Sequence, residues 1–205
     1  MQEIEAKFYV LDLDRIRMRL QALEARLIQD RVLETNIRFD LPDGGLRSEG
    51  RVLRLRQDNE ARLTYKSEST KEQGVLSRTE IEFVVEDFEK AKQLLEALGY
   101  RKFFYYEKYR TTYILQTSEV STHIMLDEMP YGNFVEIEGE SIKSIRKVAD
   151  KLNLKWDTAV PTSYHMLFMR LRDKHPDIEP AELSFKAIKG LNITAADLSV
   201  HAADG

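Results

Sequence analysis

The chain of 205 residues has no cysteine. That excludes disulfides, zinc–thiolate sites, iron–sulfur clusters and thiol catalysis at once. Glycine and proline are sparse, nine and five, so low-complexity and collagen-like organisation are excluded too. A basic surplus is missing: 31 Lys and Arg stand against 35 Asp and Glu, for a formal charge of −4. A general nucleic-acid binder normally carries such a surplus. No apolar run approaches membrane-spanning length, and the opening MQEIEAKFYV has acids where a signal peptide needs a basic and then an apolar stretch. A soluble, cytoplasmic protein without nucleic-acid or membrane partners is the expectation. What is abundant is charge, 32% of residues, beside a hydrophobic fraction of 42% that suffices for a core.

Periodicity organises the chain. Residues 2 to 9 alternate, Glu3, Glu5 and Lys7 on one parity, Ile4, Ala6 and Phe8 on the other, which is the period of a strand with two unlike faces. Asp12 caps a helix whose apolar stripe is Leu13, Ile16, Leu20, Leu23 and Leu27. Strands are expected from Arg31 to Asp40, Arg51 to Gln57, Ala61 to Lys66, Val75 to Val85, Tyr100 to Gln116, Ser121 to Glu128 and Phe134 to Gly139. Ser67 to Gly74 reads as a loop. Helices are expected from Asp87 to Leu98, Ser141 to Leu152 and Pro161 to Lys174, and a further one from Ala181 to Lys189. With no long linker and no repeat, the chain divides into a main domain, 1–175, and a dependent C-terminal extension, 176–205. Adjacent, hairpin-like strands with few helices predict an antiparallel α+β fold, and about eight strands suffice to close a barrel.

The polar parity of these strands is nearly pure charge: Glu3, Glu5 and Lys7; Arg54 and Arg56; Lys66; Arg78, Glu80 and Glu82; Lys108 and Arg110; Asp127; Glu136 and Glu138. A solvated sheet face would ordinarily mix Ser, Thr, Lys and Glu. Like charges across a ladder are destabilising, so charge repeated over so many strands calls for alternating signs or bound ions. Carboxylates without His or Cys suit a hard cation such as Mg²⁺ or Mn²⁺. Arg and Lys suit phosphate oxygens, Arg through its bidentate fork.

These residues resemble the CYTH superfamily, the triphosphate tunnel metalloenzymes, which include class IV adenylyl cyclases and thiamine triphosphatases. Glu3-Ile4-Glu5-Ala6-Lys7 is similar to the family's E-x-E-x-K signature. Leu53 to Arg56, Thr64-Tyr65-Lys66, Arg78 to Glu82, Lys108-Tyr109-Arg110, Leu126-Asp127-Glu128 and Gly132 to Gly139 follow in family order. Arg38 departs from the pattern, standing where relatives often have an aromatic residue.

The resemblance implies an eight-stranded antiparallel β-barrel forming a charged tunnel, flanked by helices. It implies that Lys7, Arg54, Arg56, Lys66, Arg78, Lys108 and Arg110 hold phosphate oxygens and that Glu3, Glu5, Asp127, Glu136 and Glu138 hold Mg²⁺ or Mn²⁺. Glu3, Glu5, Lys7, Glu80 and Glu82 would be the catalytic group, Glu80 and Glu82 as ligands or water-positioning residues. Hydrolysis of inorganic triphosphate, thiamine triphosphate or a nucleoside triphosphate is the leading activity that follows. Cyclisation of ATP to cyclic AMP and pyrophosphate, or non-catalytic binding of polyphosphate or nucleotide, are the alternatives. Relatives of the cyclase type are often homodimers.

Other features carry less. His123, His165, His175 and His201 show no ligand spacing, Trp156 and the Tyr105-Tyr106 pair read as packing, and Asn192-Ile193-Thr194 matters only in a secreted protein. No glycine-rich phosphate loop is present, so side chains must hold any phosphate.

Overall fold

The computed structural model describes residues 2–116 and 121–205, with Gln2 and Glu3 described by backbone only. Ten strands appear: β1 (Gln2–Val10), β2 (Arg26–Asp40), β3 (Val52–Gln57), β4 (Ala61–Lys66), β5 (Thr70–Glu72), β6 (Val75–Val85), β7 (Arg101–Gln116), β8 (Ser121–Met129), β9 (Gly132–Glu138) and β10 (Glu182–Leu183). The α-helices are α1 (Leu13–Ala22), α2 (Gly45–Ser48), α3 (Phe88–Ala97), α4 (Ile142–Lys151), α5 (Tyr164–Lys174) and α6 (Ala195–Leu198).

Eight strands hydrogen-bond in the order β1-β9-β8-β7-β2-β3-β4-β6, and β6 pairs back onto β1. The result is a closed antiparallel ring, not a regular barrel, flanked by helices. Closure removes the free edges that an open sheet would expose. The ring is inverted relative to a usual core. Charged parity faces inward, and apolar parity faces outward under the helices. On one side Phe8, Val10, Ile124, Leu126, Val135 and Ile137 pack against Ile16 and Leu20 of α1 and Ile145, Val148 and Ala149 of α4. Leu95 of α3 covers Ile37, Phe39, Leu53 and Leu55. Each such buried apolar side chain contributes about 1.5–3 kcal/mol. The outer face of β6 is not covered in this way: Ile81 and Phe83 stay 55% and 53% exposed.

A third cluster joins Tyr9, Phe104 and Phe134 to Tyr164, Phe168 and Leu171 of α5 and to Ile178, Leu183, Ile188, Leu198 and Val200. The last thirty residues thus pack against the ring. Ala203 donates its backbone N–H to Tyr9, and the Asp204 carboxylate accepts from the N–H groups of Leu11 and Asp12 where α1 begins.

Five local expectations are corrected. The stripe that ran to Leu27 ends at Ala22, because Glu24 is left-handed (φ 57°) and Leu27 pairs with Tyr113 of β7. Strand β2 therefore starts at Arg26 rather than Arg31, bending through three register shifts against β7. Within the expected loop, β5 and β6 form a hairpin around Gln73 and Gly74, both left-handed (φ 48° and 83°) as a two-residue primed turn demands. Helix α5 starts at Tyr164 behind its Ser163 cap. Residues 181–189 are not a helix: Glu182–Leu183 pair in parallel with Tyr105–Tyr106 of β7.

Candidate active site

The cross-strand register explains how so much charge is tolerated inside the ring. Lys7 faces Glu136, Glu34 faces Lys108, Arg110 faces Asp127, Lys66 faces Glu80, and the backbone places Glu3 opposite Arg78. Opposite charges directly across a ladder stabilise it, and like charges destabilise it. Among the inward charges, three pairings break the rule. Glu5 faces Glu138, Arg38 faces Arg54, and Arg56 faces Arg62.

The most deeply buried charges form a self-neutralised cluster. Lys7 Nζ lies 3.1 Å from Glu136 and donates to the Thr162 carbonyl at 3.2 Å. Lys108 Nζ is 3.0 Å from Asp127 and 3.5 Å from Glu34. Arg110 grips Asp127 through Nε and Nη2, both at 2.6 Å, and reaches Glu136 with Nη2. The Tyr164 hydroxyl, brought in by the first turn of α5, donates to Asp127 Oδ2 at 2.7 Å. Burial pushes the Glu136 carboxyl up, but Lys7 and Arg110 outweigh it and hold the group well below the usual carboxylate range. Glu34 is depressed in the same way by Lys108, Arg110 and Arg56 against its burial. Burial likewise opposes the charge on Lys7, yet Glu136 and Glu5 raise it above 10.5.

The basic wall is less settled. Arg56 Nη2 donates to Glu82 at 2.9 Å and lies 3.6 Å from Glu34. Arg54 makes only long contacts, 3.4 Å to the Tyr106 hydroxyl, 3.4 Å to Thr64 and 3.6 Å to Glu82. Thr64 in turn donates to Glu82 at 2.7 Å, while Lys66 sits 2.9 Å from Glu80 and Arg78 3.9 Å from Glu5. Among the described residues, the Nε atoms of Arg38, Arg54 and Arg56 are sealed from solvent with no hydrogen-bond partner. Such orphaned charged donors are costly unless something accepts from them. The wall opens onto a cavity of about 850 Å³ inside the ring, a volume suited to a small-molecule ligand. Its lining holds eleven Lys and Arg against five Glu, so it carries net positive charge although the chain is net acidic.

Of the residues expected from sequence, Glu5, Lys7, Arg54, Arg56, Lys66, Arg78, Glu80, Glu82, Lys108, Arg110, Glu136 and Glu138 all line this cavity. The Glu3 side chain lies outside the described residues. Asp127 is fully buried behind the lining, its oxygens taken by Lys108, Arg110 and Tyr164. Among the described residues no three carboxylates or imidazoles stand together as a metal-holding group. The oxygen-only donors at the Glu5–Glu138 pairing nevertheless suit a hard cation, whose charge would relieve two carboxylates held in register.

Sequence reasoning missed Glu34, Tyr106 and Tyr164. Glu34, Asn36 and Arg38 alternate with Ile37 and Phe39 just as β1 alternates, so the parity signal was present in β2. Tyr106 had been read as packing; it does stack on Phe104, yet its hydroxyl meets Arg54 and it lines the cavity.

Strand ring, inward charge and basic cavity make up a charged tunnel, and comparison with known proteins agrees on this fold. The CYTH domain model matches residues 1–164, and the chain belongs to this family. A Methanocaldococcus jannaschii protein provisionally named an adenylate cyclase is 26% identical over 174 residues, 80% of this chain and 97% of that one. A solved Pyrococcus horikoshii protein, 27% identical, superimposes with a TM-score of 0.64 over 79% of this chain and 96% of its own. The fold is shared with a Hippeastrum protein, described as an adenylyl cyclase candidate with a dominant triphosphatase activity, at 20% identity and a TM-score of 0.57 over 72% and 84% of the two chains.

Proposed function

We infer that the chain is a divalent-metal-dependent triphosphatase, binding its substrate's phosphate chain along the basic wall inside the ring. The observation that carries this reading is a cavity inside the ring whose lining has a surplus of cations, among them Arg54, held by long contacts of 3.4–3.6 Å. Bidentate guanidinium–phosphate contacts are the chemistry such a wall is built for.

Phosphoryl transfer asks a protein mainly for positioning and charge neutralisation. Arg54, Arg56, Lys66 and Arg78 would take non-bridging oxygens. Lys7, Lys108 and Arg110 present a fixed second row, because Asp127, Glu136 and Glu34 lock them in place. Glu3, Glu5 and Glu138 would hold Mg²⁺ or Mn²⁺, which supplies neutralisation of developing negative charge. Asp127 and Glu136 are assigned positioning roles instead, since their oxygens are already occupied. Glu82, held by Arg56 and Thr64, and Glu80 orient the attacking water. The water oxygen bonds to the terminal phosphorus and gives up a proton to solvent, the bridging P–O bond breaks, and orthophosphate leaves together with the shortened chain.

The provisional name of the M. jannaschii relative keeps cyclisation of ATP as the second reading. One experiment separates the two. Inorganic triphosphate, thiamine triphosphate and ATP are each supplied with Mg²⁺ or Mn²⁺, and orthophosphate, pyrophosphate and cyclic AMP are resolved. Orthophosphate supports hydrolysis. Cyclic AMP with pyrophosphate replaces that reading with the cyclase, and no turnover of any substrate defeats both.

A further inference from the structure

Tyr106 stands where the fixed cations and the basic wall meet. Its ring stacks on Phe104 with centroids 5.6 Å apart, and the residue lines the cavity. Lys108 lies two residues further along β7 on the same inward face, and Arg54 approaches from β3 with Nη1 3.4 Å from the phenol oxygen. A phosphate chain held by both sets of cations passes this hydroxyl.

The contact with Arg54 also decides what the phenol can offer. A guanidinium only donates, so the Tyr106 oxygen accepts there and its own proton is directed elsewhere. Neighbouring tyrosines are served differently: Tyr105 donates to Glu107 at 2.8 Å, Tyr131 to the Tyr164 carbonyl at 2.9 Å, and Tyr164 to Asp127 at 2.7 Å. Among the described residues, Tyr106 donates to no acceptor. Glu34 does not take the proton, since Asn36, Lys108 and Arg56 already surround its oxygens. A buried O–H without an acceptor is costly, and a phosphate oxygen drawn in by the surrounding cations would supply one.

The groups facing the hydroxyl are Arg54 from β3, Arg38 and Glu34 from β2, Lys108 from β7 itself, and the Tyr131 hydroxyl from the turn between β8 and β9. Burial pushes the phenol up, but Arg54 and Lys108 outweigh it and hold the group below its ordinary value of 10. That shift brings a weak acid closer to the range in which acid catalysis is effective.

We propose that Tyr106 is a catalytic residue, the proton donor to the oxygen that departs when the phosphoanhydride breaks. The attacking oxygen bonds to phosphorus and loses its proton to solvent. The bridging P–O bond breaks with its electron pair on the leaving oxygen, which takes the Tyr106 proton, and solvent then reprotonates the phenolate. Charge builds on that oxygen in a loose transition state, so a donor placed there lowers the barrier. The role rests on the functional reading only in requiring a phosphoanhydride to be cleaved, and a phosphate chain departs in hydrolysis and cyclisation alike.

The test compares the unaltered chain with Tyr106→Phe, which keeps the ring on Phe104. Turnover of tripolyphosphate and ATP with Mg²⁺ is followed from neutral to alkaline pH, and tripolyphosphate affinity is measured separately by calorimetry in EDTA. The expected result is a fall in kcat of about a hundredfold or more with affinity unchanged. The decline of kcat at alkaline pH in the unaltered chain should be absent from the variant. Unchanged kcat overturns the donor, as does an affinity loss as large as the loss of kcat, or an alkaline decline that survives in the variant. If the variant does not fold, 3-fluorotyrosine at position 106 decides the matter: its more acidic phenol moves the alkaline decline to lower pH, and an unmoved decline overturns the donor. Cyclic AMP as the product would replace the hydrolase reading alone, with loss of its formation in Tyr106→Phe still supporting the donor. No turnover by the unaltered chain defeats the functional reading and the donor together.

Discussion

Glu5 and Glu138 sit directly opposite one another across the β1–β9 ladder, two carboxylates in register on the inner face of the ring. Next along, Lys7 faces Glu136, so the strand pair switches from a mutually repelling to a mutually attracting pairing within two residues. The like-charge pair is where a cation would be gained. Glu138→Gln is expected to lower Mg²⁺-dependent turnover by about 10²–10³-fold, the usual scale for removing one electrostatic element of a phosphoryl-transfer site. Retained turnover in a saturating Mg²⁺ titration would remove Glu138 from the metal set.

Glu136 is the opposite case. It is buried and pairs with both Lys7 and Arg110. Glu136→Gln leaves two buried cations short of a partner, an event that costs about 3–5 kcal/mol. The same carboxyl also predicts acid sensitivity. Glu34, Glu82 and Glu136 are all held below the ordinary value of 4.5, each by neighbouring cations that outweigh its burial. A depressed carboxyl stabilises the fold fully above its unfolded pKa and progressively less as pH falls through its folded pKa. Through these carboxyls, urea midpoints should fall further below pH about 4.5, beyond any loss that sets in at higher pH. Stability that is flat down to strongly acidic pH would contradict these pairings.

Tyr164 carries the link between α5 and the charged cluster through one hydroxyl, 2.7 Å from Asp127. Tyr164→Phe keeps the ring that packs on Phe134 and removes that donor. A hydrogen bond to a charged group contributes about 1.5–3 kcal/mol, and that is the expected loss in unfolding free energy. Because Asp127 orients Lys108 and Arg110, KM for the triphosphate should rise as well. A variant with unchanged stability and unchanged KM would reduce the contact to incidental packing.

The ring was legible in the sequence because strand parity is a local property. Glu3, Glu5 and Lys7 against Ile4, Ala6 and Phe8 specify two faces without any knowledge of partners, and the same alternation recurs around the ring. Which face turned inward was not local, since it depends on α1, α3 and α4 lying over the apolar side. Arg26 to Asp30 escaped because Leu27 happens to continue the helical stripe of α1; only pairing with β7 settles it as strand. Residues 181–189 failed for a related reason, as a two-residue strand added to β7 leaves no periodic trace. Asp127 shows the limit for the site: its residue type suits a metal, while its depth behind Lys108 and Arg110 gives its oxygens other work.

His165 lies at the cavity rim, edge-on to Phe104 at 4.6 Å. Burial, with Arg38 and Arg47 nearby, lowers its pKa to about 4. The folded state thus binds its proton less readily than the unfolded state, and this residue withdraws stability as pH falls from about 6.5 towards 4. NMR titration should show the His165 imidazole neutral throughout the physiological range. In Arg38→Gln its midpoint should move up towards 6.5, since one of the charges lowering it is gone. A His165 midpoint near 6.5 in the unaltered chain would mean that it does not share its surroundings with the two arginines.

The central claim is that the phosphate chain is held by the inward arginines, and the most direct measurement is the affinity of tripolyphosphate, by calorimetric titration, for the unaltered chain, Arg54→Ala, Arg56→Ala and the exposed-residue control Arg26→Ala. One equivalent should bind. Each inward substitution should cost tenfold or more in affinity, corresponding to a charge-assisted contact of about 1.5–3 kcal/mol, with Arg26→Ala indistinguishable from the unaltered chain. Equal affinity across all four proteins would contradict the account, because the polyanion would then be bound somewhere other than the tunnel.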